Sequence, residues 1–134
     1  MRQKIDYIID PMIEFGLNRI KPNCYDHKLV REYGSVQINL GRQCGHTSYI
    51  VRTATSNDCI IAINHLNANR IEQLVGAMNP CHPTPVMSVG SMKVESFKTY
   101  NIIWIDVASC YTEDELKKVF DTFSHRCKLF ALIG

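Results

Sequence analysis

No run in this 134-residue chain approaches the roughly 18 unbroken apolar residues that a membrane span needs. Behind Met1-Arg2-Gln3-Lys4 the apolar residues are interrupted by Asp6 and Asp10, which does not read as a secretory signal and points to the cytoplasm. A dominant charge sign is missing too. A formal net charge of +2 is too mild to imply nucleic-acid binding, although a total says nothing about a local patch. The six cysteines (24, 44, 59, 81, 110 and 127) include no CxxC pair and three lie in or beside apolar runs, so reduced thiols are expected rather than a disulfide framework. Cys81-His82 is the only local zinc-like pair, too few ligands for a site, and no zinc is expected. The dinucleotide pattern G-x-G-x-x-G is absent, as are Ser-His-Asp and Cys-His arrangements, repeats, low-complexity tracts and linkers.

What is present suits one globular unit, with 46% hydrophobic and 21% charged residues. Residues 1–34 read as an N-terminal helical extension and 35–134 as the core. In the extension Ile5, Ile8, Ile9, Met12, Ile13 and Leu17 recur at helical spacing. Asp10-Pro11 is expected to divide that helix, because aspartate caps well and proline suits a first helical turn. Lys21-Pro22-Asn23 breaks the pattern, and Gly34 closes a short stretch before the next element.

From Ser35 the chain alternates between strand and helix. Strands are predicted at 35–40, 59–63, 86–89, 101–107 and 128–133, with helices at about 47–55, after Ile63 and after Thr112. Asn67 is the expected cap of the middle helix, whose apolar face would be Ile71, Leu74, Val75 and Met78. Thr112 to Glu115 reads as a capping box, ahead of a helix burying Leu116, Val119, Phe120 and Phe123. Three prolines between Pro80 and Pro85 make that segment a loop. Apolar strands separated by amphipathic helices predict an α/β fold with a mostly parallel sheet and helices on both faces.

The turn between the first strand and its helix carries the chemistry. A helix amino terminus presents free N–H groups and a positive dipole end, and a glycine-containing turn lets phosphates approach it. The window Leu40-Gly41-Arg42-Gln43-Cys44-Gly45-His46-Thr47 matches the phosphate-loop pattern G-x-x-x-x-G-K-[ST] at Gly45 and Thr47, and departs from it at Leu40 and His46. Arg42 to Thr47 resembles the R-Q-x-G-K-[ST] loop of the large terminase subunits, the DNA-packaging ATPases of tailed bacteriophages, in which the first glycine is often replaced. A second motif, Ile102-Ile103-Trp104-Ile105-Asp106, resembles a Walker B strand, whose aspartate reaches magnesium from the strand beside the phosphate loop. The resemblance spans about residues 35 to 134.

It implies a three-layer P-loop NTPase-like core, with ATP and Mg²⁺ as candidate ligands. The implied nucleotide- or phosphate-binding residues are Gly41, Arg42, Gln43, Cys44, Gly45, His46, Thr47 and Ser48, and Thr47 and Asp106 are the implied magnesium ligands. Two substitutions argue against hydrolysis. His46 replaces the lysine that reaches the β- and γ-phosphates, and an unperturbed imidazole is only partly cationic at neutral pH. Val107 occupies the place of the glutamate that orients or deprotonates the attacking water, and Glu113, Asp114 and Glu115 read better as a capped first turn. Arg42, Arg52, Arg70 and Arg126 are unranked candidates for an arginine finger. His65 reads as a polar loop residue, and Trp104 as core rather than a stacking platform.

Three functions follow. The first is a degenerate P-loop protein that binds nucleotide or phosphate with little hydrolysis, serving phage DNA metabolism. The second is a phage-encoded interaction or inhibitor protein that keeps the fold without the chemistry. The third is an ATPase completed by a partner or neighbouring subunit. Candidate partners are a second copy of the chain, a host or phage replication or packaging protein, and nucleic acid. No membrane partner is expected.

Overall fold

The computed structural model describes residues 3–19, 35–39, 45–93 and 98–134. The expectations for Lys21 to Gly34, for Leu40 and for Gly41 to Cys44 fall outside them. Helix α1 (Lys4–Arg19) leads to strand β1 (Ser35–Ile38), helix α2 (His46–Thr53), β2 (Cys59–Ala62), α3 (His65–Met78) and β3 (Val86–Ser88). A 3-10 turn at Val89–Ser91, strand β4 (Tyr100–Asp106), a second 3-10 turn at Ala108–Cys110, α4 (Glu113–Phe123) and β5 (Cys127–Ile133) complete the order.

The five strands form one sheet in the order β1-β5-β4-β2-β3, and every pairing is parallel. Parallel neighbours need long crossovers, which place helices on the faces and bury the central strands on both sides. Accordingly β2 is buried at all four positions, and six of the seven residues of β4 are buried. Side chains alternate along each strand. Ile102 and Trp104 of β4 and Leu129, Ala131 and Ile133 of β5 pack with α1, α2 and α3; Ile103, Ile105, Phe130 and Leu132 pack with Val119 and Phe123 of α4. Edge strand β1 is apolar on one face only, through Val36 and Ile38, while Gln37 is exposed. No described helix is long and apolar enough to cross a membrane.

Several sequence-based expectations require correction. Helix α1 runs continuously through Pro11. The proline is exposed, as is Tyr7 four residues earlier, so the position where proline has no N–H to give lies on the solvent side of the helix. The cap of α3 is Asn64, not Asn67: the Asn64 carboxamide accepts from the Asn67 N–H at 2.9 Å. Only Ala68, Ile71 and Val75 of α3 are buried, and Leu74 and Met78 are 41% and 58% exposed. On α4 the capping box forms as expected, with Thr112 and Glu115 exchanging bonds of 2.9 and 3.1 Å, and Val119 and Phe123 are buried while Leu116 and Phe120 are partly so.

Helix α1 buries one face in the core. Ile5, Ile9 and Ile13 join the cluster beneath α2 and α3. Its close approach to the sheet depends on Gly16, where an added Cβ would lie 2.8 Å from Leu129 Cδ1 and 2.9 Å from Val36 Cγ1. Gly16→Ala gains helix propensity of about 1 kcal/mol, yet overpacking costs about 1–3 kcal/mol. We expect a net loss of stability in urea unfolding, in contrast to Gly76→Ala, where nothing lies within 4 Å of the new Cβ and the propensity gain stands alone.

Candidate functional site at the carboxyl edge of the sheet

All five strands point the same way, so their carboxyl ends share one edge, the usual place for ligands in open α/β sheets. Helix α2 begins there, directly after Gly45. Gly45 has φ 78° and ψ 26°, the left-handed conformation that glycine adopts without steric cost, and supplies no side-chain cap to the helix. A Cβ at this position would meet nothing within 4 Å, so the requirement for glycine is conformational. The Gly45 carbonyl accepts from the Tyr49 N–H at 2.9 Å and closes the first turn.

Strand alternation brings the second motif to this helix. Asp106 has the same parity as Ile102 and Trp104, which places its side chain on the face covered by α2. There the Thr47 hydroxyl donates to Asp106 Oδ1 at 2.9 Å. Asp106 is only 4% exposed, and burial pushes its carboxyl pKa up from the ordinary value. The Thr47 hydroxyl, the Val107 backbone N–H and the charges of His46 and Arg70 pull in the opposite direction.

One expectation about this pair fails. Strand β4 does not lie beside β1, because β5 is inserted between them. Thr47 nevertheless reaches Asp106, because α2 packs against β4.

No family model matches the chain, and no curated protein matches it. The arrangement must therefore be judged by its chemistry. Thr47 and Asp106 supply one hydroxyl and one carboxylate. That donor set fits Mg²⁺, which keeps several waters and is commonly bound through one or two carboxylates together with phosphate oxygens. Among the described residues no group of three or more His, Cys, Asp or Glu side chains is placed to hold a metal. Cys81 and His82 lie exposed in the proline-rich loop.

His46, the first residue of α2, is partly buried, and its Nδ1 lies 3.7 Å from where a Cβ on Gly134 would sit. Ser48 is exposed one position beyond Thr47. The structure separates the arginines that sequence left unranked, apart from Arg42, which is outside the described residues. Arg52 is tied to Asp6 by bonds of 3.0 and 2.9 Å, a contact between α2 and α1. The Arg126 carbonyl accepts from Tyr100 N–H at the amino end of β4, the opposite edge of the sheet from Asp106. Arg70 on α3 is the one whose charge is felt at Asp106.

Trp104 is fully buried, with its indole N–H donating to Asp58 Oδ2 at 3.2 Å and the Tyr49 ring packed edge-on at 6.0 Å. It serves the core and does not stack on a ligand. Asp58 also accepts from the Ile102 and Thr55 N–H groups, at 3.1 and 3.0 Å, so this second buried carboxylate is structural. Tyr111, unremarked in the sequence, ties the turn after β4 to the end of β2 by donating to the Ile61 carbonyl at 3.1 Å.

Val107 has φ 50° and ψ 45°, and is the only non-glycine residue with positive φ among those described. A β-branched residue in the left-handed region is strained, and strain of this kind concentrates at functional sites. It permits the chain to turn sharply after Asp106, so that the Ser109 N–H reaches the Gly134 carbonyl at 2.7 Å. Nothing in the local sequence signals this conformation.

Two expectations follow. Val107→Gly should be more stable than Val107→Ala by about 1 kcal/mol in denaturant unfolding, because both remove the valine methyls and only alanine keeps the Cβ that incurs the left-handed penalty. Asp106→Asn should gain stability near neutral pH. The folded state holds the Asp106 proton more tightly than the unfolded chain does, so the carboxyl's contribution is full below the ordinary carboxylate range and is lost as pH rises through the raised value. The gain is expected near neutral pH and should vanish as pH falls into the ordinary carboxylate range, as read by urea unfolding across pH.

Proposed function

We propose that this protein is a degenerate P-loop NTPase-like domain that binds the phosphates of a nucleotide and hydrolyses little or none of it. The observation carrying this reading is the 2.9 Å bond from the Thr47 hydroxyl to Asp106, two residues 59 positions apart in sequence. In phosphate-loop enzymes a Ser/Thr at the start of the loop helix and an aspartate at the end of a buried strand hold the magnesium between them. The left-handed Gly45 at the amino end of α2, and the parallel sheet directing both elements to one edge, support the same reading. Bound magnesium would neutralise phosphate charge. The chain's own contribution is the Thr47 hydroxyl, the Asp106 carboxylate and the amides at the start of α2.

Weak or absent hydrolysis follows from two residues. His46 is shorter than lysine and lacks its permanent charge, and Val107 carries no group able to orient water. The setting of such a protein in phage DNA packaging or replication rests on the resemblance of Arg42 to Thr47 alone. A second reading, a protein-interaction domain that retains the architecture without nucleotide chemistry, draws on α1. Tyr7 and Phe15 on that helix are 63% and 65% exposed, with Ile8 and Met12 also exposed.

Equilibrium titration with ATP, with and without Mg²⁺, separates the two readings. Saturable binding strengthened by Mg²⁺ is expected, with the metal effect abolished by Asp106→Ala and reduced by Thr47→Ala. His46→Lys should tighten binding about tenfold, since a charge-assisted contact to phosphate is worth about 1.5–3 kcal/mol. Absence of saturable binding at millimolar ATP overturns the nucleotide reading and leaves the interaction reading.

A further inference from the structure

A crevice of about 570 Å³ opens on the same edge of the sheet, beyond Asp106 on the side of β2 and β3. Its position follows from the topology. The chain leaving β2 enters α3, which packs on the face shared with α1 and α2. The chains leaving β3 and β4 turn the other way: Val89, Ala108 and Tyr111 all join the cluster on the α4 face. Where neighbouring strands send their connections to opposite faces the loops part, and in open α/β sheets this is where ligands sit. The volume lies within the range of small-molecule sites.

The lining narrows the kind of ligand. Ile63 and Val89 provide an apolar wall. Asp114 and Glu115, in the first turn of α4, disfavour an anion. Lys118 and the positive amino end of α3 at Asn64 and His65 disfavour a cation. Charges of both signs around one crevice suit a group without net charge that both donates and accepts hydrogen bonds, as a hydroxyl does. A carboxylate has about four acceptor positions, and Glu115 uses Oε1 for the Thr112 N–H, leaving Oε2.

We infer that this crevice, on the same sheet edge as Thr47 and Asp106, binds a neutral, hydroxyl-rich group such as a ribose or other sugar. The inference builds on the proposed phosphate site but occupies separate residues. The sugar has two sources: the nucleotide whose phosphates rest on α2, or a second molecule.

Gly90 provides the test. It lines the crevice, is exposed and has nothing within 4 Å of an added Cβ, so Gly90→Phe fills the crevice without a clash at the backbone. Calorimetric titrations of wild type and Gly90→Phe with ATP, tripolyphosphate and adenosine are compared, with thermal unfolding verifying the fold. Asp114→Asn, which keeps the volume and removes a carboxylate, is the second variant. If the sugar belongs to the nucleotide, both variants weaken ATP at least about tenfold, a change of about 1.4 kcal/mol, and leave tripolyphosphate unchanged. If it belongs to a second molecule, adenosine binds wild type and is lost in Gly90→Phe, while ATP and tripolyphosphate stay unchanged. The inference is overturned if neither ATP nor adenosine binding depends on Gly90, or if a folded Gly90→Phe loses tripolyphosphate as well. Failure of tripolyphosphate to bind wild type, with adenosine still dependent on Gly90, instead overturns the phosphate reading and keeps the crevice.

Discussion

Parallel pairing of all five strands is the constraint from which the rest of this structure follows. It requires every connection to cross from one end of the sheet to the other, and it gathers the carboxyl ends of all strands on one edge. The central strands are then buried on both faces, so they can carry polar groups only at their ends. Asp106, at the last position of β4, is where a carboxylate can meet both the core and the edge.

Burial of that carboxylate is unfavourable to folding when it is ionised, and the fold offsets the cost with the Thr47 hydroxyl, the Val107 N–H and the nearby His46 and Arg70 side chains. Strained Val107 follows immediately. A desolvated acid and a residue in the left-handed region, side by side at a sheet edge, are costs that packing alone does not require. Their coincidence with the start of α2 is the physical reason for regarding this edge as a site. Asp58 offers the contrast: it is equally buried, but three donors from the protein engage it, and it holds the start of β2 against β4.

The same edge continues away from α2 into the crevice between the loops after β2 and β3 and the first turn of α4. The two regions differ in character. Near Thr47 there is a buried acid, a hydroxyl and a helix amino end. In the crevice there are charges of both signs around an apolar wall. Such a division is physically suited to a ligand, or a pair of ligands, with one charged and one neutral part.

Much of this could be read from sequence because it depends on local periodicity. The apolar runs from Cys59 and Asn101, the Thr112 capping box and the prolines after Asn79 fix their own local structure through alternation, cap chemistry and the missing proline N–H. Gly45, Thr47 and Asp106 were also visible as candidates, since their residue types suit phosphate and magnesium. Strand order was not visible, because periodicity within a segment says nothing about its neighbours; thus β5 came to lie between β1 and β4. Continuity of α1 through Pro11 depended on which side of the helix met solvent, and the cap at Asn64 on where β2 ended. The pairing of Thr47 with Asp106, the separation of Arg70 from Arg52 and Arg126, the turn at Val107 and the crevice beside Gly90 came from tertiary structure alone. Each is a relation between elements distant in the chain, set by how helices cross a sheet rather than by any residue's own preference.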